Sequence, residues 1–358
     1  MCLDTRIAEL RGERMTVTSY NKSFPRICRL HVQTRQFPRG TPRLFREERL
    51  SLPIYYVLVY EATTNGPCDS KQPHALFRPS STVFIRPRRF KTRKHARVTP
   101  AVTNFMPPSS VVELTETTPP LFDPISVHRI SSDTIVKVEH YHHYVEALNL
   151  SMIRAMTTIP VPEVRQIVQH KTFTYLVMEY IEGRTLDQCW SELSHIQRLR
   201  VAQTLRGYID QLRTLTRAVP GTLDGSACVG PFFSAIDAEP FASYDELVDW
   251  YNHKVDVVKK MRKAPPDIGT FDDSAPLVFT HQDLNMRNII LANDGTLYVI
   301  DWGWSGFYPE WMEYACMARY DDAPQSWKDL IPFITGPHED MFNLLCDIGW
   351  ALEVGYMM

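Results

Sequence analysis

A histidine, two aspartates and an asparagine stand at telling positions in residues 279–302, FTHQDLNMRNIILANDGTLYVIDW. The spacing is His281-x-Asp283-x-x-x-x-Asn288, and Asp301 nearly closes the segment. Phosphoryl transfer asks for such a set. One carboxylate accepts the proton of an attacking hydroxyl, while a second carboxylate and an amide oxygen hold the magnesium that neutralises phosphate charge. Asp283 is the candidate base, and Asn288 and Asp301 are the candidate metal ligands. The three-residue pattern alone arises by chance in roughly a few per cent of chains this long, so its flanks matter. Leu277–Thr280 and Leu297–Ile300 read as strands, Asn288–Ala292 as another, and Asn293-Asp294-Gly295 as the tight turn between the last two. That arrangement puts Asp283 and Asn288 on one loop and brings Asp301 to the same mouth. His281 reads as a brace for the loop. Asp301 also has a plainer reading, a strand-end cap.

A phosphate site needs a cation as well. Val136-Lys137-Val138 sets a lysine mid-strand, where it either faces solvent or points into a cleft. Glu146 lies on the helix expected next and is placed to pair with it. Glu139 is expected to be too close along the strand to meet Lys137 face to face.

The elements that must position these groups follow from periodicity and turn residues. Ile125–Ile130 and Thr134–Val138 read as short strands around a Ser131-Ser132-Asp133 turn. A helix is expected from about Tyr141 to Ala155, and one or two strands across Thr172–Ile181. Gly183 breaks the pattern. Leu186, Trp190, Leu193, Ile196, Leu205, Ile209 and Leu212 then suggest one long amphipathic helix. Ser243-x-x-Glu246 is a capping box for a helix to about Lys263, and Asp340–Val354 reads as a last helix. Strands thus dominate from 125 to 181 and helices after 183.

The formal net charge of −2 hides two unlike halves. Residues 1–100 carry 20 Lys+Arg against 7 Asp+Glu, and the remainder 19 against 34. Residues 1–110 are rich in proline and arginine and read as a poorly ordered basic extension, with Ser51–Tyr60 its one candidate strand. Aromatic residues are too sparse there to favour nucleic acid. The seven cysteines form no C-x-x-C pair, which argues against a zinc site or disulfide framework and fits a reducing compartment. No apolar run reaches the ~18 residues of a membrane span. A cytoplasmic monomer is the expectation.

Four segments carry a family resemblance: 145–164 (VEALNLSMIRAMTTIPVPEV), 175–190 (YLVMEYIEGRTLDQCW), 279–291 (FTHQDLNMRNIIL) and 299–314 (VIDWGWSGFYPEWMEY). From Val127 to Tyr314 the chain resembles the aminoglycoside phosphotransferase-like family, in particular its fungal branch. The resemblance implies an α+β, bilobal protein-kinase-like fold, with the basic extension at 1–110, a β-rich N-lobe at 111–182 and a helical C-lobe at 183–358. It implies ATP and Mg²⁺ as cofactors and a small-molecule acceptor. It assigns Lys137 to the ATP phosphates with Glu146 as its partner, and Met178, Glu179, Tyr180 and Ile181 to the adenine-binding hinge. Asp283 would be the base, with Asn288 and Asp301 on Mg²⁺.

Two departures stand out. The strand pair before Lys137 lacks the glycine that a phosphate-covering loop usually wants, which keeps a non-catalytic binding module as the rival reading. Gly303 follows Asp-Trp where the family often has an acid. Trp302, Trp304, Phe307, Tyr308, Trp311 and Tyr314 form either packed core or an acceptor wall. The acidity beyond residue 100 would suit a cationic acceptor.

Overall fold

The computed structural model describes residues 106–121, 126–140, 144–233, 238 and 240–354, with the backbone of short strands before residue 106. The first lobe is a twisted sheet. Strands β1 (Val127–Arg129) and β2 (Thr134–His140) form a hairpin whose turn is tied by side chains. Ser131 Oγ donates to Asp133 Oδ1 at 2.8 Å, and Arg165 grips Asp133 Oδ2 at 3.0 Å. These bonds hold the Asp133 carboxyl well below the ordinary carboxylate range. β2 pairs antiparallel with β4 (Phe173–Glu179), which pairs with β3 (Val164–His170). The strand expected near residues 51–60 is Tyr56–Glu61. It lies parallel to β3 and pairs on its other side with Pro79–Phe84. Most of residues 1–105 lie outside the described residues.

The sheet is covered on both faces. Helix α1 (Pro108–Thr117) lays Val111 and Val112 against Val136, Val168, Tyr175 and Val177. Helix α2 (Val145–Met156) packs Ala147, Leu150 and Ile153 on the other side, in a core that runs on into the second lobe. α1 straddles the expected boundary at 110. Its β-branched and Thr-rich sequence gives little helical signal, and burial, not propensity, holds it.

The lobes join at β5 (Gly183–Thr185), which pairs with a hairpin strand of the second lobe. The single long helix expected across 186–212 is two. α3 (Leu186–Cys189) ends in a short 3₁₀ turn, and α4 (His195–Leu212) starts afresh. Ser194 opens it through a full capping box with Gln197, which satisfies the first N–H groups of a new helix. Ile196, assigned to the apolar stripe by spacing, is therefore exposed. α5 (Tyr244–Lys260) begins as expected, with Ser243 Oγ accepting the Glu246 N–H at 3.2 Å.

The chemistry-bearing segment is built from four strands. β6 (Leu277–Thr280) pairs with β9 (Gly306–Pro309), and β7 (Ile289–Ala292) with β8 (Leu297–Val299). Gly295 makes the β7–β8 turn with φ +87°, a conformation glycine adopts without steric cost. α6 (Met312–Ala318), α7 (Gln325–Lys328) and α8 (Ile331–Thr335) follow. The final helix is divided at Ile348 into α9 (Glu339–Asp347) and α10 (Gly349–Val354). α5, α9 and α10 enclose a second apolar core around Tyr251, Tyr308 and Trp311. Among the described residues, no helix is long and apolar enough to cross a membrane.

Gly183 is needed for close approach. A Cβ there would stand 2.5 Å from the Leu291 carbonyl oxygen, a backbone atom that cannot swing away. Gly183→Ala is expected to lower unfolding stability by about 1–3 kcal/mol, measured by denaturant titration. An unchanged midpoint would show that the lobe junction is loose.

Candidate active site

Lys137 sits at the centre of β2 and points inward. Its Nζ lies 2.6 Å from Glu146 Oε2, 2.7 Å from Asp301 Oδ1 and 3.3 Å from Glu139 Oε1. The Glu139 contact corrects the expectation from sequence. Residues two apart on a strand share a face, and two long side chains there reach each other. Burial works against the Lys137 ammonium, but Glu146, Asp301 and Glu139 outweigh it and hold its pKa well above the ordinary lysine value. Glu146 is 2% exposed, at the first turn of α2, where a carboxylate also meets the favourable end of the helix dipole.

One turn along α2, Asn149 is fully buried. Its Nδ2 donates to the Trp302 and Ser305 carbonyls at 2.7 and 3.2 Å. Sequence reasoning missed this residue. Its signal was a polar side chain three positions after Glu146 on an otherwise apolar helix face. Together the two residues tie α2 to the segment that carries Asp301. Asp301 itself adopts φ +64°, and Gln282 φ +66°. Left-handed backbone at non-glycine residues costs of order 1–3 kcal/mol and persists where surroundings enforce it. Here Lys137 holds Asp301. Gln282 is held by bonds from its Nε2 to the carbonyls of Trp304 (2.6 Å) and Val229 (3.3 Å).

His281 is a brace. It is fully buried, its Nδ1 accepts the Asp283 N–H at 3.1 Å, and its Nε2 bonds the Ile300 carbonyl at 3.0 Å. Those partners fix the Nε2–H tautomer. Burial lowers its pKa, which keeps the ring neutral. Behind it, Glu313 of α6 accepts the His281 N–H at 2.5 Å.

Asp283 is held by three side chains. Asn288 Nδ2 donates to Asp283 Oδ2 at 2.8 Å and to the Asp283 carbonyl at 2.9 Å. Arg319 donates to Oδ1 at 3.1 Å, and the Tyr320 hydroxyl makes a very short bond to the same oxygen. Tyr320 also receives Asn285 Nδ2 at 3.2 Å. Burial, then the bond to Asp283, pushes the Tyr320 phenol up to about 12, so it stays a donor. Arg319 and Tyr320 were not found from sequence, because nothing in Ala-Arg-Tyr-Asp announces which loop it will face.

Lys137, Glu139, Glu146, Asp283 and Asp301 line one cavity of about 510 Å³, with Gly303, Trp304 and residues from Thr222 to Val229 completing the wall. Asn288 lies behind Asp283. Its Oδ1 and Asp301 Oδ2 make no hydrogen bond among the described residues. Both are hard oxygen donors of the kind Mg²⁺ takes alongside phosphate oxygens. The described residues contain no group of three or more His, Cys, Asp or Glu able to hold a metal by themselves, so phosphate or water oxygens would have to complete the shell. The four hinge candidates fall outside the cavity wall. Met178 and Ile181 are buried, the Glu179 carboxylate accepts the Glu163 N–H at 3.2 Å, and Tyr180 lies under the Arg129 guanidinium at 3.7 Å. The Ser131–Asp133 turn is also absent from the wall. Of the six aromatics after Asp301, five are core, and only Trp304 is open, 38% exposed.

A family model described as the phosphotransferase enzyme family matches residues 128–332, more than half of the chain. No curated protein matches. Among solved structures, the aminoglycoside phosphotransferase APH(4)-Ia is similar at 12% identity over 68% of this chain and 88% of its own, with a TM-score of 0.44. ADP-bound APH(2'')-Ib gives 14% identity over 69% and 91%, also at 0.44. The choline kinase LicA from Streptococcus pneumoniae gives 18% over 66% and 83%, at 0.38. With TM-scores under 0.5, the family match carries the assignment.

Glu313 offers a test of the site's support. Burial raises its carboxyl from the ordinary 4.5 to about 7, although the His281 and Gln282 N–H groups pull the other way. An acid raised on folding contributes stability that is full below about pH 4.5 and lost as pH climbs through 7. Glu313→Gln keeps an acceptor oxygen and removes the titration. Between pH 4 and pH 8 the stability difference should move by roughly 3 kcal/mol in favour of the variant, read by denaturant titration across pH. A pH-independent difference would contradict the raised carboxyl.

Proposed function

The chain belongs to the phosphotransferase enzyme family, and from that membership we propose that it is an ATP- and Mg²⁺-dependent small-molecule kinase acting on a hydroxyl. One observation carries this reading. A single cavity gathers Lys137 with the buried Glu146, Asp301 with one carboxylate oxygen off the lysine, and Asp283 with Asn288 on its Oδ2.

The division of labour follows from lone pairs. Asp283 Oδ1 already accepts from Arg319 and Tyr320, whereas Oδ2 accepts only from Asn288. A carboxylate oxygen takes about two donors. Oδ2 therefore keeps room for the acceptor hydroxyl, and receives its proton as the hydroxyl oxygen attacks the γ-phosphorus and ADP leaves. Lys137, kept cationic by its carboxylates, binds the ATP phosphates. Asp301 Oδ2 and Asn288 Oδ1 would hold magnesium, which supplies charge neutralisation on the phosphates when bound. The adenine would have to reach Met178–Ile181 beyond the wall of this cavity.

The rival reading is a non-catalytic, kinase-like module that binds a nucleotide or another ligand without turnover. It is favoured by the glycine-free Ser131-Ser132-Asp133 turn, whose backbone is fixed by its own side chains. Asp283→Ala separates the two. Turnover of an accepted alcohol should fall by roughly 10²–10⁴, in an ADP-release assay run beside the wild type. Equal rates in both proteins would remove Asp283 as base, and no thermal shift with millimolar Mg-ATP would favour a module that binds something else.

A further inference from the structure

Lys137 is the one cation among the described residues that line the cavity, and it faces four carboxylates on the same wall, those of Glu139, Glu146, Asp283 and Asp301. An ammonium has three N–H donors. Three carboxylates stand within ion-pair reach of Lys137 Nζ, Glu146 at 2.6 Å, Asp301 at 2.7 Å and Glu139 at 3.3 Å. They match the whole donor capacity of the lysine. A phosphate oxygen that comes to Nζ must therefore take the place of one of them. The three are not equally held. Glu146 is 2% exposed and sits in the first turn of α2. Asp301 makes its shorter contact from a left-handed backbone, φ +64°. Glu139 makes the longest contact, and its side chain is 22% exposed. Its backbone is fixed in β2 opposite Thr174 of β4, but its side chain can change rotamer with no change in the strand.

We propose that Glu139 is a resident competitor of the nucleotide: its carboxylate holds the position at Lys137 that a phosphate oxygen takes, and it must turn away for ATP to bind. This rests on the kinase reading for its ligand and on Lys137 for its site. Two effects act in the same direction. The Glu139 carboxylate satisfies the lysine, and its charge opposes a phosphate set beside it, as like charges do in a recognition site. Residues two apart on a strand share a face, so the lysine and its competitor enter the cavity together. Glu139 thereby lowers affinity for polyphosphates, and its return to Lys137 favours the release of ADP.

Isothermal titration of the full chain with Mg-ATP, and with adenosine, which has no phosphate, tests this in the wild type, Glu139→Gln and Glu139→Asp. Glu139→Gln should bind Mg-ATP roughly tenfold more tightly and adenosine as the wild type does. Glu139→Asp keeps the charge on a shorter side chain and should fall between the two. Equal or weaker Mg-ATP binding by Glu139→Gln overturns the proposal, and the weaker case would make Glu139 a helper of the nucleotide or its metal. A gain shared by adenosine also overturns it, because it marks a general change in the site. Wild-type affinity in Glu139→Asp would reduce the role to charge alone and overturn displacement at Lys137. If Mg-ATP binds none of the three proteins, the kinase reading fails and inorganic tripolyphosphate decides. Tighter binding by Glu139→Gln then keeps Glu139 as a competitor for phosphate oxygens, and equal or absent binding overturns it.

Discussion

One ammonium group holds the two lobes in register. Lys137 comes from the sheet, Glu146 from the helix beside it, and Asp301 from the far lobe, 164 positions along the chain. Opposite charges meet there in a partly buried cluster, one ammonium against these two carboxylates and that of Glu139. Removing the lysine would leave carboxylates facing each other with little water, and breaking such a cluster is costly in a way that forming it is not rewarding. The cluster therefore says little about stability and much about geometry. It keeps Asp301 in a backbone conformation that an aspartate does not choose, with one carboxylate oxygen on the lysine and the other open.

A second bond set makes that geometry stiff. Asn149 joins α2 to the backbone just past Asp301, His281 joins the Asp283 loop to Ile300, and Glu313 supports His281 from α6. Each is a buried polar group with a specific partner, although Asn149 Oδ1 and Glu313 Oε1 have none, and directional bonds of this sort in a low-dielectric interior favour one arrangement. Asp283 is then positioned from both sides, by Asn288 within its own loop and by Arg319 and Tyr320 from beyond α6.

Much of this was legible in the sequence, for definite reasons. Asp283, Asn288 and Asp301 lie within 19 residues, so their spacing survives as a motif. The hairpin between β7 and β8 announces itself through Asn-Asp-Gly, and Ser243 through its capping pattern. The lysine and its glutamate were readable because a strand and a helix follow one another directly. What was not legible depends on tertiary placement. Arg319 and Tyr320 reach Asp283 because α6 ends where it does. The break at Ser194 was hidden because apolar residues on both sides of it keep helical spacing. Val164–His170 was overlooked as a strand because its polar residues are buried in pairing rather than alternating with solvent. The Glu139 contact follows from the shared face of a strand, which closeness along the chain does not suggest.

Asp301 and Lys137 are proposed as a phosphate- and metal-binding centre rather than a structural ion pair. ATP affinity measured by isothermal titration, with Mg²⁺ and with EDTA, tests it in the wild type and in Asp301→Asn. Mg²⁺ is expected to tighten ATP binding in the wild type, and Asp301→Asn to lose that gain while remaining folded. A metal gain of equal size in the variant, or none in the wild type, would contradict it.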